Sequence, residues 1–312
     1  MHHTVKGEKL VMKIEKIQLW EDNDLVTLTA YLLDNSQEFQ ADKKRPAVII
    51  CPGGGYLGTS DREAEPVALR FAAKGYHTFV LRYNTYFREW VKDFKQLPEV
   101  NERSQYPQPL LDLAKAILIV RTNAKEWLVN PDAIALCGFS AGGHLAASMA
   151  VHWQDHFIQR FLQESNTLFK PNAVILGYPL LDYELMKAKV EQEADEAKKG
   201  FWDISSKAVF GTNKPTEQQL KEISPVRNVT GDTPPTFIWH TADDDLVYAE
   251  NALVFALELA KNKVPYELHV FQSGVHGLSL SDQTTAGNAS QINEACQPWF
   301  ELAATWLKKH LE

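Results

Sequence analysis

Cysteine, long apolar runs and excess positive charge are all scarce in this chain, and each absence excludes a class of protein. The 312 residues contain three cysteines, Cys51, Cys137 and Cys296, which are too few and too scattered for a disulfide framework or a zinc site. Two of them end apolar strands, so we expect structural thiols and no redox role. No stretch reaches the ~18 apolar residues of a membrane span, and the N-terminal residues lack the apolar core of a signal peptide. We therefore expect a soluble, cytoplasmic protein.

The charge balance argues against nucleic acid or an anionic membrane surface as the main partner. Lysine and arginine number 32 against 40 for aspartate and glutamate, which gives a formal net charge of −8. Both of those partners need concentrated positive charge on the protein. Hydrophobic residues make up 45% of the chain, which is ordinary for a globular protein with a sizeable core. We interpret residues 1–312 as one α/β domain.

Apolar runs alternate with helical patterns along the chain. Two early strands mix polar and apolar residues, as an antiparallel edge does, whereas later runs are continuously apolar, as in parallel strands covered on both faces. Strand–helix alternation with short connections predicts βαβ units and a mostly parallel sheet. The predicted strands are 14–20, 26–33, 47–51, 77–83, 133–139, 173–178, 236–241 and 266–272.

Helical signals lie between these strands. Ser60 and Glu63 have the spacing of a capping box, which predicts a helix through about Lys74 that ends at Gly75. The other predicted helices are 109–128, 141–153, 248–263 and 291–311.

Residues 84–108 and 183–232 interrupt this alternation. Both segments are long, polar and aromatic. A long excursion between sheet elements is often an active-site cover, but surface decoration is an equally good interpretation. We expect cap-like insertions in a single domain.

The glycines of "CPGGGYLGTSDRE", residues 51–63, are open to two interpretations. Gly53, Gly55 and Gly58 satisfy G-x-G-x-x-G, the fingerprint of a dinucleotide-binding turn. Three adjacent glycines at a strand end can instead form an oxyanion hole, which stabilises negative charge on a substrate oxygen.

The stretch "ALCGFSAGGHLAAS", residues 135–148, carries the most specific signal. An apolar strand leads into Gly138-Phe139-Ser140-Ala141-Gly142, and a helix-forming run follows. This is G-x-S-x-G in the strand–turn–helix context that makes a nucleophile elbow, because the glycines remove side chains that would clash in so tight a turn. The pattern predicts a nucleophilic Ser140, and the alternative is a serine that merely caps the helix.

A serine nucleophile needs a general base, and the imidazole needs a partner that fixes its tautomer. In this strand order the acid follows the seventh strand and the histidine the eighth. His276, in the loop after the last strand, is the predicted base; His144 is the weaker alternative, and His240 is expected to be structural.

Three adjacent aspartates after strand seven compete for the role of the acid. Asp244 is favoured because it begins D-x-x-V, and Asp243 comes second. Asp182, after strand six, occupies an alternative position. We expect the aspartates without a catalytic role to cap the helix at 248–263 or to face solvent.

The Ser–Asp–His order decides the glycine question, because no dehydrogenase needs it. The strand after the glycines ends in Arg82, Tyr83 and Asn84 and lacks the acidic residue that holds a ribose. We therefore predict that Gly53-Gly54-Gly55 and the Ala141 N–H form an oxyanion hole.

Six stretches of the chain, most of residues 45–280 in the right order, resemble the acetyl-esterase/lipase group of α/β-hydrolases, which is related to dienelactone-hydrolase-like and xylan-esterase-like proteins. They are "CPGGGY", "REAEPVALRFAAKGYHTFVLRYN", "DLAKAILIVRTNAKEW", "GFSAGGHLAAS", "TPPTFIWHTADDDLVYAENA" and "GVHGLSL". The resemblance implies a serine carboxylesterase, with no cofactor or metal ion, acting on small acyl esters that include acetylated sugars. It gives Ser140, Asp244 and His276 the triad roles, and Gly54, Gly55 and Ala141 the oxyanion roles. Many relatives have a histidine where this chain has Pro52.

Three alternatives to an esterase stay open on the sequence alone: a serine peptidase of the same fold, a nicotinamide-dependent oxidoreductase and a non-catalytic binding module. Aromatic residues of the two insertions and the glycine loop could line a pocket or anchor packing, and the sequence leaves room for a homodimer. These aromatic residues are Tyr56, Tyr86, Phe87, Trp90 and Trp202.

Overall fold

Eight β-strands form one sheet in the computed structural model, which describes residues 12–36, 38, 40–89 and 99–311. The order across the sheet is β1-β2-β4-β3-β5-β6-β7-β8. β2 pairs antiparallel with β1 and β4, and all other neighbours are parallel. The strands are β1 Lys13–Trp20, β2 Asn23–Leu32, β3 Arg45–Cys51, β4 His77–Arg82, β5 Val129–Phe139, β6 Ala173–Gly177, β7 Thr236–Thr241 and β8 Tyr266–Phe271. The predicted eight-stranded, mostly parallel α/β-hydrolase sheet is confirmed.

Helices cover both faces of the sheet, as predicted. Successive strand residues point to opposite faces, so Ile49 packs in one apolar cluster and Ile50 in the other. The described part of the chain contains α1 Glu65–Ala72, α2 Gln108–Thr122, α3 Ala141–His152, α4 His156–Leu162, α5 Tyr183–Glu191, α6 Glu196–Phe210, α7 Glu217–Ile223, α8 Glu250–Lys261 and α9 Trp299–Leu311. The cluster that contains Ile49 includes residues of α2, α3 and α8, and the cluster that contains Ile50 includes residues of α1 and α9.

The predicted capping box at Ser60 and Glu63 is wrong. Ser60 is extended and its side chain caps nothing, Asp61–Glu63 is a single 3-10 turn, and α1 begins only at Glu65. Glu63 is buried, and its carboxylate accepts hydrogen bonds from Gly53 and Tyr178 instead of from the backbone N–H of Ser60. Tertiary contacts therefore override the local pattern here.

Two other predicted helices are shorter than their patterns suggested. α2 ends at Thr122 although the apolar pattern runs to 128, and α9 begins at Trp299, after a stretch of turns where a helix from 291 was predicted.

The second insertion, 183–232, folds into α5, α6 and α7 between β6 and β7, where the sequence indicated one helix-like piece. In the first insertion, 84–108, a bridge pairs Phe87 with Val100, while residues 90–98, and with them Trp90, lie outside the described residues. Whether these insertions act as a cap stays a prediction.

Cys51, Cys137 and Cys296 are buried and unpaired in disulfides. Burial raises the pKa of each thiol, which disfavours the reactive thiolate. The described helices include none with the length and apolar character required to cross a bilayer.

Candidate active site

Ser140 stands on a strained turn between β5 and α3. Its φ of 51° and ψ of −119° are rarely adopted by a residue with a side chain. Two flanking glycines make the turn possible: a Cβ on Gly138 would lie 2.2 Å from the Gly142 carbonyl oxygen, and one on Gly142 would lie 2.0 Å from the Cys51 carbonyl oxygen. The turn directs the Ser140 hydroxyl towards His276, in the loop that follows β8.

A continuous chain of hydrogen bonds links Ser140, His276 and Asp244. The Ser140 Oγ lies 2.8 Å from His276 Nε2, and His276 Nδ1 lies 2.7 Å from Asp244 Oδ2. Since the carboxylate accepts from Nδ1–H, Nε2 is left as the acceptor for the serine proton. The structure thus brings together the three side chains that the sequence singled out for nucleophile, base and acid.

Backbone and side-chain donors hold the Asp244 carboxylate. Its Oδ1 accepts the N–H groups of Leu246 and Val247, each at 3.0 Å, and His240 Nε2 lies 3.3 Å from Oδ2. Burial opposes ionisation of this carboxyl, but the charge of His276 and the hydrogen bonds from His240 and His276 outweigh it and hold the pKa of Asp244 well below its usual value. Asp244 is therefore an anion at neutral pH.

His276 is held from a second side by an aromatic ring. The Tyr178 ring packs edge-on against the imidazole, with centroids 5.0 Å apart. Burial opposes protonation, but the charge and hydrogen bond of Asp244, together with the charges of Glu63 and Asp245, raise the pKa of His276 above its ordinary value. These surroundings therefore stabilise the imidazolium that would form if His276 accepted a proton.

The glycine loop presents free backbone donors beside Ser140. Gly54 and Gly55 have φ of 136° and 63°, which favour glycine. Within the described part of the chain, the N–H groups of Gly54, Gly55 and Ala141 have no acceptor. The Gly53 N–H is not free, because it donates to Glu63 at 2.7 Å. Each of the three residues that the resemblance implied as oxyanion donors therefore has an N–H group without an acceptor among the described residues.

The same loop does not have the context of a dinucleotide-binding turn. In that motif the last glycine opens a helix, whose N-terminus faces the pyrophosphate. Here α1 begins at Glu65, well after Gly58. The helix that a dinucleotide-binding turn needs directly after its last glycine is therefore absent at Gly58.

The weaker sequence candidates have other partners. His144 is fully buried between the Tyr56 hydroxyl, 2.6 Å from Nδ1, and the Ile223 carbonyl, 2.7 Å from Nε2. Burial lowers the pKa of His144 to about 4, so it stays neutral. Asp182 caps the N-terminus of α5.

The two aspartates beside Asp244 are exposed to solvent, which is one of the two placements expected for them. Asp243 accepts the Gly274 N–H at 2.6 Å, and Asp245 pairs with Lys198 of α6 at 2.8 Å. The predicted cap on the helix at 248–263 is absent, because Ala249 precedes α8 and no side chain caps it.

Sequence reasoning missed Glu63 and Tyr178. The Tyr178 hydroxyl donates to Glu63 Oε1 at 2.6 Å, and the other carboxylate oxygen accepts the Gly53 N–H. The signal in the sequence was that an acidic residue, Glu63, follows the glycine loop closely. Its spacing from Ser60 fits a capping box, and that interpretation was preferred.

Two cavities meet at Ser140. The smaller, of about 50 Å³, is lined by mainly apolar side chains of α5 and α6 and by Tyr56 and Ala141. The larger, of about 230 Å³, contains His276, Arg62, Glu63 and the Gly54–Gly55 backbone. Ser140 therefore borders a narrow cavity and a wider one, and the charged side chains of Arg62 and Glu63 line only the wider of these two.

The aromatic residues that could line a pocket separate in the structure. Tyr56 and Trp202 line the smaller cavity. Phe87 lines a different cavity, and Tyr86 packs on it with ring centroids 4.9 Å apart.

Known proteins similar to this chain include a protein family and solved structures of ester hydrolases. Residues 33–259 match the BD-FAE family. The carboxylesterase Cest-2923 from Lactobacillus plantarum WCFS1 superposes with a TM-score of 0.76 and 30% identity, over 96% of this chain and 98% of that one. The acetyl ester-xyloside bifunctional hydrolase from Caldicellulosiruptor lactoaceticus gives 0.72 and 32%, over 96% and 97%.

A curated relative is longer than this chain. Endo-1,4-beta-xylanase B of Butyrivibrio fibrisolvens is 30% identical over 278 residues, which is 85% of this chain but 38% of that protein. The chain spans between 38% and 56% of the length of the curated relatives it matches.

Proposed function

Because the chain belongs to the BD-FAE family, we propose that it is a serine carboxylesterase that hydrolyses small esters. The observation that carries the proposal is the hydrogen-bond chain from Ser140 through His276 to Asp244. The neighbours named as a carboxylesterase and as an acetyl ester-xyloside hydrolase support the same chemistry.

The proposed reaction has two steps. Ser140 attacks the ester carbonyl while His276 Nε2 takes the hydroxyl proton, and Asp244 stabilises the imidazolium that forms. The tetrahedral intermediate collapses, and His276 returns the proton to the departing alcohol. Water then enters, gives its proton to His276 and releases the acid from the acyl-enzyme, and Ser140 regains its proton.

The oxyanion of each tetrahedral intermediate requires donors that are free before the substrate binds. The N–H groups of Gly54, Gly55 and Ala141 meet this requirement among the described residues, and Ala141 also begins α3, whose N-terminal dipole favours negative charge. The side chain of Ser205 on α6 donates to the Gly55 carbonyl at 2.6 Å, so the loop carrying two of the donors is fixed from the insertion.

The two cavities support a short acyl group and a bulkier alcohol. The smaller cavity has room for a group of a few heavy atoms, since one water molecule needs roughly 10–15 Å³ of comparable volume. We assign the acyl group to this narrow space and the alcohol, such as the sugar of an acetylated sugar, to the larger cavity. In this assignment α5 and α6 act as a cap over the acyl group, and the Lys198–Asp245 ion pair joins α6 to the loop of Asp244.

Replacement of the nucleophile tests the proposal. Ser140→Ala should abolish hydrolysis of p-nitrophenyl acetate, with a loss on the order of 10⁶ in kcat, and should also abolish labelling by a fluorophosphonate. Ser148→Ala, a buried serine of the helix that follows Ser140, is the matched control and should keep both. Hydrolysis by the Ser140→Ala protein above the uncatalysed rate would refute the assignment.

A further inference from the structure

Glu63 is a buried acid with two charge-assisted hydrogen bonds to different parts of the site. Its side chain lies beneath the glycine loop and is 4% exposed. Oε2 accepts the Gly53 N–H at 2.7 Å, and Oε1 accepts the Tyr178 hydroxyl at 2.6 Å. Bonds of this kind to a buried carboxylate are among the stronger ones in proteins, and both oxygens are directed at functional loops.

The first bond fixes the oxyanion loop. Gly53 directly precedes Gly54 and Gly55, and its carbonyl accepts the Ser60 N–H at 2.8 Å. A Cβ on Gly53 would lie 2.8 Å from Glu63 Oε2 and 2.9 Å from the Ser140 Cβ, so the carboxylate and the nucleophile approach the same glycine. Removal of the carboxylate would leave the Gly53 N–H buried without an acceptor, and the loop would shift to satisfy it.

The second bond fixes the histidine loop. The Tyr178 hydroxyl, besides donating to Glu63, accepts the Ser279 N–H at 2.9 Å, and the Tyr178 ring packs against His276. Glu63 thereby sets the orientation of the hydroxyl proton, since an acceptor on one side leaves the Tyr178 oxygen free to accept from Ser279.

Arg62 strengthens the same connection. Its guanidinium donates to the Gly277 carbonyl at 2.9 Å, and its own carbonyl accepts the Ser279 hydroxyl at 2.7 Å. Two consecutive residues, Arg62 and Glu63, thus hold the backbone on the C-terminal side of His276.

We propose that Glu63 is a positioning residue for ester hydrolysis, joining the oxyanion loop through Gly53 to the imidazole through Tyr178. The inference rests on the proposed function, and it assigns Glu63 no contact with the substrate. Its role is to keep the oxyanion donors and the imidazole at a fixed separation on either side of Ser140, because a displacement of about 1 Å in such a site can cost ~10²-fold in rate.

The charge of Glu63 gives the proposal a signature that packing alone would not produce. The groups that face His276 are Asp244, Asp245 and Glu63, which favour the imidazolium, together with the neutral Tyr178. The Arg62 guanidinium, hydrogen-bonded to the adjacent Gly277, opposes it. Loss of the Glu63 charge should therefore lower the pKa of His276.

Glu63→Gln, Tyr178→Phe and Asp61→Asn test the proposal with p-nitrophenyl acetate. Glu63→Gln keeps the shape but removes the charge and one acceptor, so kcat should fall roughly 10- to 100-fold with KM within about twofold. Tyr178→Phe keeps the ring on His276 and removes the hydroxyl, and it should lower kcat by a similar factor. Asp61→Asn is the matched control, because the Asp61 side chain is 92% exposed and Arg82 is its only side-chain partner among the described residues; its kcat should be unchanged.

The decisive readout is the titration of His276, followed by the NMR signals of its imidazole at temperatures where thermal unfolding shows each protein to be folded. The midpoint should move to lower pH in Glu63→Gln and stay in place in Asp61→Asn. An unchanged midpoint in Glu63→Gln would overturn the inference. Because this titration needs no substrate, it decides the role of Glu63 even if the wild type hydrolyses no ester, a result that would refute the proposed function instead.

Discussion

Asp244 and His276 lie 32 residues apart in the sequence, and yet Asp244 Oδ2 is 2.7 Å from His276 Nδ1. The contact follows from the sheet: β7 and β8 are parallel neighbours, so the loops after their carboxyl ends emerge side by side. The loop of Asp244 is in turn fixed by the N–H groups of Leu246 and Val247. The imidazole is therefore held in one tautomer by a carboxylate that is itself held by backbone.

Asp244→Asn should keep the fold and lose most of the activity. An amide can donate its N–H₂ group to Nδ1, and Nδ1 is then the acceptor. The imidazole proton is then on Nε2, so Nε2 can no longer accept the proton of Ser140. We expect kcat for p-nitrophenyl acetate to fall on the order of 10⁴-fold, with a near-native circular dichroism spectrum.

The matched control for this change is Asp243→Asn. Asp243 accepts the Gly274 N–H, whereas the hydrogen-bond partners found for the His276 ring among the described residues are Asp244 and Ser140; asparagine retains an acceptor oxygen for the Gly274 bond. Its loss in kcat should stay below about tenfold. Equal losses in the two variants would contradict the assignment of Asp244 as the acid.

The pH profile of kcat/KM should report the charge around His276. Only the neutral imidazole accepts the serine proton, so activity rises with pH as His276 loses its proton. Since Asp244 and its neighbours raise the pKa of His276 despite burial, the midpoint should lie above 6.5, the ordinary value for histidine. Initial rates across the pH range, corrected with the Ser140→Ala protein, would measure it, and a midpoint at or below 6.5 would contradict the expectation.

The sheet and the Ser140 turn were predictable because their signals are local. A short, continuously apolar run such as Ala173–Gly177 is typical of a strand buried on both faces, and the glycines of G-x-S-x-G are required where side chains would clash in the turn. The positions of Asp244 and His276 followed from strand order. The choice among three adjacent aspartates rested on a short motif, and their catalytic roles stay predictions.

Glu63 was not predictable, because its partners are set by tertiary structure. A serine followed three residues later by a glutamate describes a capping box well, and nothing in the sequence indicates that Gly53 and Tyr178 lie within reach of the carboxylate. The number of helices in 183–232 was underestimated for a related reason. These helices are polar on the outside, and their apolar residues pack on elements distant in the sequence.

Gly142→Ala should destabilise the protein and remove its activity together. The added methyl group would lie 2.0 Å from the Cys51 carbonyl oxygen and 2.5 Å from that of Pro52, which are backbone atoms with no room to move. We expect the free energy of unfolding to fall by roughly 3 kcal/mol or more, as measured by urea denaturation.

Gly200→Ala is the control for the same substitution elsewhere. Gly200 lies inside α6, and an added Cβ would meet no atom within 4 Å. Alanine loses less conformational entropy than glycine in a helix, so this variant should gain about 0.5–1 kcal/mol with unchanged activity. Similar losses of stability at the two positions would show that steric conflict at the Ser140 turn is not the cause.

Trp202→Ala should widen the range of acyl groups that the site accepts. The Trp202 side chain lines the smaller cavity beside Ser140 and also the surface groove on the outer side of α6, so it forms part of the wall between them. Without the indole, a longer acyl chain could extend through the wall. We expect the ratio of kcat/KM for p-nitrophenyl hexanoate to that for p-nitrophenyl acetate to rise about tenfold or more, since one methylene excluded from a pocket is worth about 1–3 kcal/mol.

Phe161→Ala is the control for this change. It removes an exposed aromatic ring of α4 that lines neither the cavity nor the groove, and it should leave the ratio unchanged. An unchanged ratio in Trp202→Ala would contradict the assignment of the acyl group to the smaller cavity.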